Sequence, residues 1–238
     1  MAVSFILEQF EKFIDAQGYD TLWSQAIVCQ CFENPSGQPD MHCPYCKGSG
    51  YRYLPPKRIK AITTSFSGQK ELKIQGLAEP GSAYITPQIG IIMGFRDRVE
   101  FPEIECKYTQ ILRFEGEKTN ATYREIRRVL FVMSDNRVYE EGIDFEITQD
   151  RHRLQWISPT TMPDTGSNIS ILYMTTPAYL ITDLSHELRS TQEHKGTREP
   201  YTVELPKQYM IRRENFIYGA KVNAKVDFPP ENEEFYYE

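Results

Sequence analysis

Residues Asn168-Ile169-Ser170-Ile171-Leu172-Tyr173-Met174-Thr175 alternate from end to end, with Ile169, Ile171 and Tyr173 in one phase and Ser170, Leu172 and Met174 in the other. Successive strand side chains point to opposite faces, so a period of two held over this run reads as a β-strand. Its flanks agree: Pro163 and Gly166 come before, and Pro177 comes after, ahead of a short strand expected at 179–181. Upstream, 127–133 and 137–140 flank Ser134-Asp135-Asn136, while 144–148 and 153–157 flank Gln149-Asp150-Arg151-His152. Both are hairpin signals. Further back, Ile59, Ala61, Thr63 and Ser65 alternate against Lys60, Ile62, Thr64 and Phe66, a strand whose buried face the pattern leaves open. Strands spaced roughly 8–12 residues apart with turns between them predict a mainly β fold, an antiparallel β-sandwich or barrel. Regular βαβ alternation is missing, which argues against a doubly wound nucleotide-binding fold.

Both ends of the chain break this pattern. Residues 3–17 place Ile6, Phe10, Phe13 and Ile14 on one stripe of an amphipathic helix, and Gly18 is its natural stop. That stripe packs either on its own domain or on a neighbouring subunit. Pro, Gly and Cys dominate 29–50, and Pro55-Pro56 with Arg52, Lys57, Arg58 and Lys60 marks 51–60 as a stiff basic connector. Past Leu184 the chain is polar to Tyr201, a mobile loop on this reading. The last twelve residues hold five acids (Asp227, Glu231, Glu233, Glu234, Glu238) among Phe228, Phe235, Tyr236 and Tyr237, rings that suit anchoring. The expected division is 1–58 for helix, cysteine module and linker, 59–200 for the antiparallel β domain, and 201–238 for a C-terminal arm with an acidic aromatic tail.

The 238 residues are 40% hydrophobic and 25% charged, a globular balance. Aromatics reach 13%, mostly Tyr and Phe, which suits pleated surfaces. A net charge of −6 disfavours a generic nucleic-acid coat, whose binding needs clustered cations. No apolar run approaches the ~20 residues of a membrane helix. Residues 1–10 lack the basic region and long apolar stretch of a signal peptide, which points to synthesis in a cytosol.

Chemistry concentrates in Cys29-x-Cys31-x11-Cys43-Pro44-Tyr45-Cys46, continued by Lys47-Gly48-Ser49-Gly50. Two close pairs of thiolates separated by a loop can supply a tetrahedral zinc shell, and four cysteines leave no open position for a water. The expected cofactor is therefore structural Zn2+ on Cys29, Cys31, Cys43 and Cys46. A shell using His42 in place of one thiolate is the weaker choice, because His42 adjoins Cys43. Segment 43–50 resembles a zinc knuckle and one Cys-x-x-Cys-x-Gly-x-Gly repeat of DnaJ-type chaperone modules. The Cys43-Pro44-Tyr45-Cys46 tetrapeptide also resembles the active site of glutaredoxins, the thiol–disulfide oxidoreductase alternative, but Gly48 and Gly50 make a poor helix start. A nucleic-acid-binding zinc module would need cations around the cysteines, whereas residues 1–50 carry two lysines against six acids. Cys106 stands alone and reads as a small buried hydrophobe.

No Gly-x-Ser-x-Gly, His-Glu-x-x-His or phosphate-loop motif is present. His152, His186 and His194 fall in turns and loops, and His186-Glu187 with Arg189 reads as a solvated strand end. Asp97, Glu100, Glu103 and Glu105 read as an exposed, charged edge. The expectation is a protein that is not an enzyme.

The run 142–189, with Gly142-Ile143-Asp144-Phe145-Glu146-Ile147, Arg153-Leu154-Gln155-Trp156-Ile157, Pro163, Gly166, Ile169 to Tyr173, Pro177-Ala178-Tyr179 and His186-Glu187-Leu188-Arg189, resembles β-rich virion proteins of tailed bacteriophages. Joined to a four-cysteine module and an N-terminal helix, it looks like a neck or head-to-tail connector protein, with a tail or baseplate component as the alternative position. The resemblance implies a ring-forming homo-oligomer located in the virion after assembly in the host cytoplasm. Its implied partners are other copies of itself and neighbouring connector, portal or tail proteins, with no membrane and no sequence-specific nucleic acid. It transfers no catalytic residue.

Overall fold

The computed structural model describes residues 7–33, 38–65, 81–135, 137–160, 162–184, 190–193 and 201–214. The expectations for residues 3–6, Phe66, His186 to Arg189, His194 and the aromatic tail lie outside the described residues. The fold is mainly β, with one N-terminal helix and a four-cysteine cluster. The chain divides into two compact units, with Pro102–Pro177 forming one and the segments before and after it forming the other.

The first unit is a closed antiparallel barrel. Its strands are β1 (Tyr19–Ser24), β4 (Lys57–Ser65), β5 (Ser82–Pro87), β6 (Arg98–Glu100), β13 (Ala178–Asp183) and β16 (Tyr209–Arg213), in the order β1-β4-β5-β16-β13-β6. Register pairs Thr21 with Ile59, Thr63 with Ile85, Ile85 with Tyr209, and Ile181 with Ile211, so these residues share one face. Thr21, Ile59, Ala61, Ile85, Val99, Ile181, Tyr209 and Ile211 are all buried. The face that the pattern of β4 left open is therefore the Ile59–Ala61 side. The three-residue β6 closes the ring by pairing Trp23 with Val99 on one side and Val99 with Tyr179 on the other. Closure leaves the six described barrel strands without an edge to pair with another chain.

Helix α1 (Leu7–Gln17) ends at Gly18, as its sequence predicts. The Gly18 N–H donates to the Ile14 carbonyl at 2.7 Å, and a Cβ at Gly18 would sit 2.4 Å from that oxygen. Of the expected stripe, Ile14 is buried and Phe10 half-buried, but Phe13 is exposed. Lys60 Nζ donates to the Asp15 carbonyl at 2.9 Å, and Gln88 Nε2 donates to Asp15 Oδ1 at 2.8 Å. A cation at the helix C-terminus is placed where the helix dipole favours it.

Asp97 corrects the reading of an exposed acidic edge. It is buried, and its carboxylate accepts from Trp23 Nε1 at 2.7 Å, from the Ala26 N–H at 2.8 Å and from the Gly94 N–H at 2.8 Å. One side chain thus fixes the end of β1, the strand that follows it and the 91–97 loop. Glu100 also belongs to a network, ion-paired with Arg98, which in turn meets buried Glu214 at 3.3 Å.

The second unit packs a four-stranded sheet on a hairpin. Strands β7 (Cys106–Arg113), β8 (Arg128–Ser134), β9 (Arg137–Tyr139) and β12 (Asn168–Thr175) take the order β7-β12-β8-β9, and β10 (Phe145–Ile147) pairs with β11 (Leu154–Trp156). Both hairpins read from the sequence are present, and Asp135 in the tighter one takes a positive φ of 49°. Ile169, Ile171 and Tyr173 face inward as their phase predicts, with Leu112, Phe114, Ile126, Val132, Phe145 and Leu154. Trp156 lies at the centre, its ring 5.4 Å from Phe114, 5.4 Å from Tyr139 and stacked at 5.6 Å on Phe145. Cys106 is half-buried at the start of β7, not a core residue.

These units cut across the division 1–58, 59–200 and 201–238. Antiparallel partners can lie anywhere in sequence, and β1, β4 and β16, one from each expected segment, share a single barrel. Two local readings also change. The connector 51–60 is occupied by β3 (Tyr51–Tyr53) and the start of β4, and the polar stretch after Leu184 contains β14 (Ser190–Glu193), paired with β15 (Tyr201–Glu204). Main-chain pairing makes no demand on side-chain polarity, so β14, Ser-Thr-Gln-Glu, shows no apolar alternation.

Removing the Asp97 carboxylate strands three donors. Asp97→Ala is expected to lower stability by about 2–4 kcal/mol in urea unfolding, and an unchanged midpoint would contradict this role. Trp156→Ala should cost about 3–5 kcal/mol by emptying the aromatic centre of the second unit.

Candidate metal centre

The cysteines sit on a two-stranded ribbon next to the barrel in sequence. Strand β2 (Ala26–Val28) pairs with β3, Ala26 opposite Tyr53 and Val28 opposite Tyr51. Cys29 follows β2 directly, and its N–H donates to the Gly50 carbonyl at 2.8 Å, which extends the ladder by one rung. Cys31 lies in a 3₁₀ turn, Gln30–Glu33. Cys43 and Cys46 lie in a second turn, closed by Lys47 N–H to the Cys43 carbonyl at 2.9 Å and Ser49 N–H to the Cys46 carbonyl at 2.9 Å.

Glycine is required twice in this turn. Gly48 has φ +86° and Gly50 has φ +77°, and a Cβ on Gly50 would meet the Phe32 ring at 2.3 Å. Lys47 takes the same left-handed conformation at φ 49°. This tight reversal leaves main-chain N–H groups facing sulfur. Cys43 accepts from the N–H groups of Cys46 and Tyr45, Cys31 from Asp40, and Cys29 from Cys31. Such donors offset thiolate charge, which is the part of the design beyond the ligands themselves.

All four sulfurs lie within 4.8 Å of one another. Cys29 Sγ is 3.8 Å from Cys43 Sγ, and Cys31 Sγ is 3.4 Å from Cys46 Sγ. A tetrahedron with metal–thiolate distances of about 2.3 Å has edges of about 3.8 Å. The donor set and its spacing therefore fit a single metal ion, and all four residues expected from the sequence are brought together. Cys29, Cys43 and Cys46 are buried and Cys31 is half-buried. His42 is exposed and stands outside the cluster.

The geometry bears on the glutaredoxin-like reading. Cys43 is only 5% exposed and its tetrapeptide forms a turn, not the first turn of a helix. A nucleophilic thiolate needs an accessible sulfur. Burial raises the Cys29 thiol above its ordinary value and pushes Cys31 up to about 12. Cys43 moves the other way, down to about 7, chiefly through the Cys46 N–H. The surroundings are not legible in the cysteine spacing: Arg52 stacks over the Tyr45 ring at 5.0 Å, and Arg96 lies 5.9 Å from the Tyr51 ring.

No known protein family matches the chain. No curated protein matches it significantly.

Metal binding needs thiolates, so ligand protons must leave. Near pH 8 Cys43 is largely deprotonated while Cys29 and Cys31 hold their protons, so uptake should release about two or more protons. Affinity should fall as pH falls, more steeply below about 7 where Cys43 also takes up a proton. Calorimetry in buffers of different ionisation enthalpy measures both; pH-independent binding would contradict the assignment.

Proposed function

We propose that this chain is a non-enzymatic structural component of a tailed-phage particle, a ring-forming protein of the neck or head-to-tail connector that carries one structural Zn2+. The observation that carries this reading is the resemblance over 142–189. Its described part supplies β10, β11, β12 and β13, three of them in the second unit and the last in the barrel. A closed barrel is by itself a stiff element, suited to a ring under mechanical load. Each subunit of such a ring presents two different complementary surfaces, because the contact runs head to tail. Its partners are then further copies of itself and the adjoining connector, portal or tail proteins. The protein is made in the host cytoplasm and retained in the virion.

The metal serves this role as a fastener. Four sulfurs complete a tetrahedral shell, so no position remains for a reacting water, and a thiolate tetrahedron suits zinc or a single iron. Zinc is favoured because the ribbon needs a fixed geometry and no change of oxidation state. The main-chain donors around Cys29, Cys31 and Cys43 would hold the thiolates in place for it.

Two measurements test the proposal. Elemental analysis of protein purified without added metal should give one zinc per chain, and Cys29→Ser with Cys31→Ser together should abolish it. Full occupancy in that double variant, or stoichiometric iron, would contradict the site or the metal. Labelling and imaging of purified particles should place the protein at the head–tail junction. Absence from mature virions would defeat the functional reading, and a baseplate position would keep the structural class while rejecting the neck.

A further inference from the structure

One face of the second unit's sheet is buried and the other is open. Register lines up the outward residues across all four strands: Ile111, Ser170, Met133 and Val138 form one row, and Thr109, Leu172 and Phe131 the next. A bulge between Leu172 and Tyr173 brings Leu130 beside Phe131. Ile111 is 66% exposed, Val138 51% and Phe131 43%. A contiguous open apolar patch of this kind marks a binding surface.

The charged side chains of its own strands have one sign. The four strands contain no Asp or Glu, and their outward phase carries Lys107 and Arg128 at one end and Arg113 at the other. Glu105, just before β7, meets Arg128 at 3.6 Å and Arg127 at 3.9 Å. Arg137 takes the opposite phase and meets Asp144. An apolar centre between cationic ends calls for a ligand that is both aromatic and acidic.

The same chain contains one. Residues 227–238 read Asp-Phe-Pro-Pro-Glu-Asn-Glu-Glu-Phe-Tyr-Tyr-Glu, with five acids, four rings and no cation. Twelve residues, 215–226, separate this segment from Glu214, enough chain to reach about 40 Å. We propose that the outward face of the β7-β12-β8-β9 sheet is the docking site for residues 227–238 of a second copy of this chain. The assignment to a second copy rests on the ring reading above, which requires two different complementary surfaces on each subunit. Sheet face and tail are such a pair. Phe235, Tyr236 and Tyr237 cover the Ile111, Phe131 and Val138 region, and the flanking acids meet Lys107, Arg113 and Arg128.

A fluorescent peptide of residues 227–238 titrated into the full-length protein should bind saturably and weaken as salt rises. Phe131→Asp or Ile111→Asp should each weaken it about tenfold or more, and Val28→Asp, at an exposed apolar site on the ribbon, should leave it unchanged. Equal binding of a scrambled peptide, or equal effects of all three variants, would overturn the proposal. A photo-crosslinking amino acid in place of Phe235 in the full chain, mixed with isotope-labelled protein, identifies the source. Links from 235 to β7, β8 or β12 between a labelled and an unlabelled chain are expected. Links to other regions, links only within one chain, or none would overturn it. Particle localisation is independent of the tail, so failure here in a protein still found at the neck rejects only this contact.

Discussion

Closure of the barrel is the constraint from which the rest of the first unit follows. An open sheet of six strands, one only three residues long, would leave two rows of main-chain donors and acceptors unpaired. Pairing β6 with both β1 and β13 removes those edges and draws together segments from residue 19 to residue 213. So short a strand needs help from its surroundings. Asp97, the residue before it, binds three donors, and Arg98 within it pairs with Glu100 and with buried Glu214. The polar groups around β6 are thus ordered as part of the closure.

The ribbon has no comparable resource. Among the described residues, its two three-residue strands and two turns enclose no buried apolar cluster apart from the cysteines themselves. Binding energies of about 10–16 kcal/mol for four-ligand zinc sites in peptides are ample to order such a segment. At its base the Ala26 N–H reaches Asp97, and the Leu54 N–H donates to the Gln25 carbonyl at 2.9 Å, closing the ribbon where it leaves the barrel strands. The second unit uses a third device, an aromatic cluster around Trp156 beneath the inner face of its sheet. Closure and aromatic packing stabilise two parts of the chain, and a metal on the four cysteines, as proposed, would stabilise the third.

Local features of this design are legible in the sequence wherever side-chain pattern and structure coincide. Asn168–Thr175 shows its buried face outright, because a sheet covered on one side demands alternation. Gly18, Gly48 and Gly50 mark a helix stop and the second cysteine turn through the space they leave empty. The four cysteines announce themselves by spacing. What stays hidden is non-local. Nothing near Asp97 reveals that a tryptophan 74 residues earlier will donate to it, so a buried hub looks like one more surface acid. The barrel partners of β16 are equally silent, since the register of Ile211 against Ala83 and Ile181 is fixed by closure and not by its neighbours. Strand β14, Ser-Thr-Gln-Glu, pairs with β15 through polar sequence that offers no apolar signal of its own.

On this division of labour a metal held by the four cysteines, as proposed, orders the ribbon alone. Amide hydrogen exchange on the full-length protein, with and without a chelator, reads it residue by residue. Removing the metal should abolish protection at Cys29, Lys47 and Ser49, whose N–H bonds define the turns, while Thr21, Val99, Ile171 and Tyr173 keep theirs. Loss of protection throughout the barrel and the second unit, or unchanged protection in the ribbon, would contradict it.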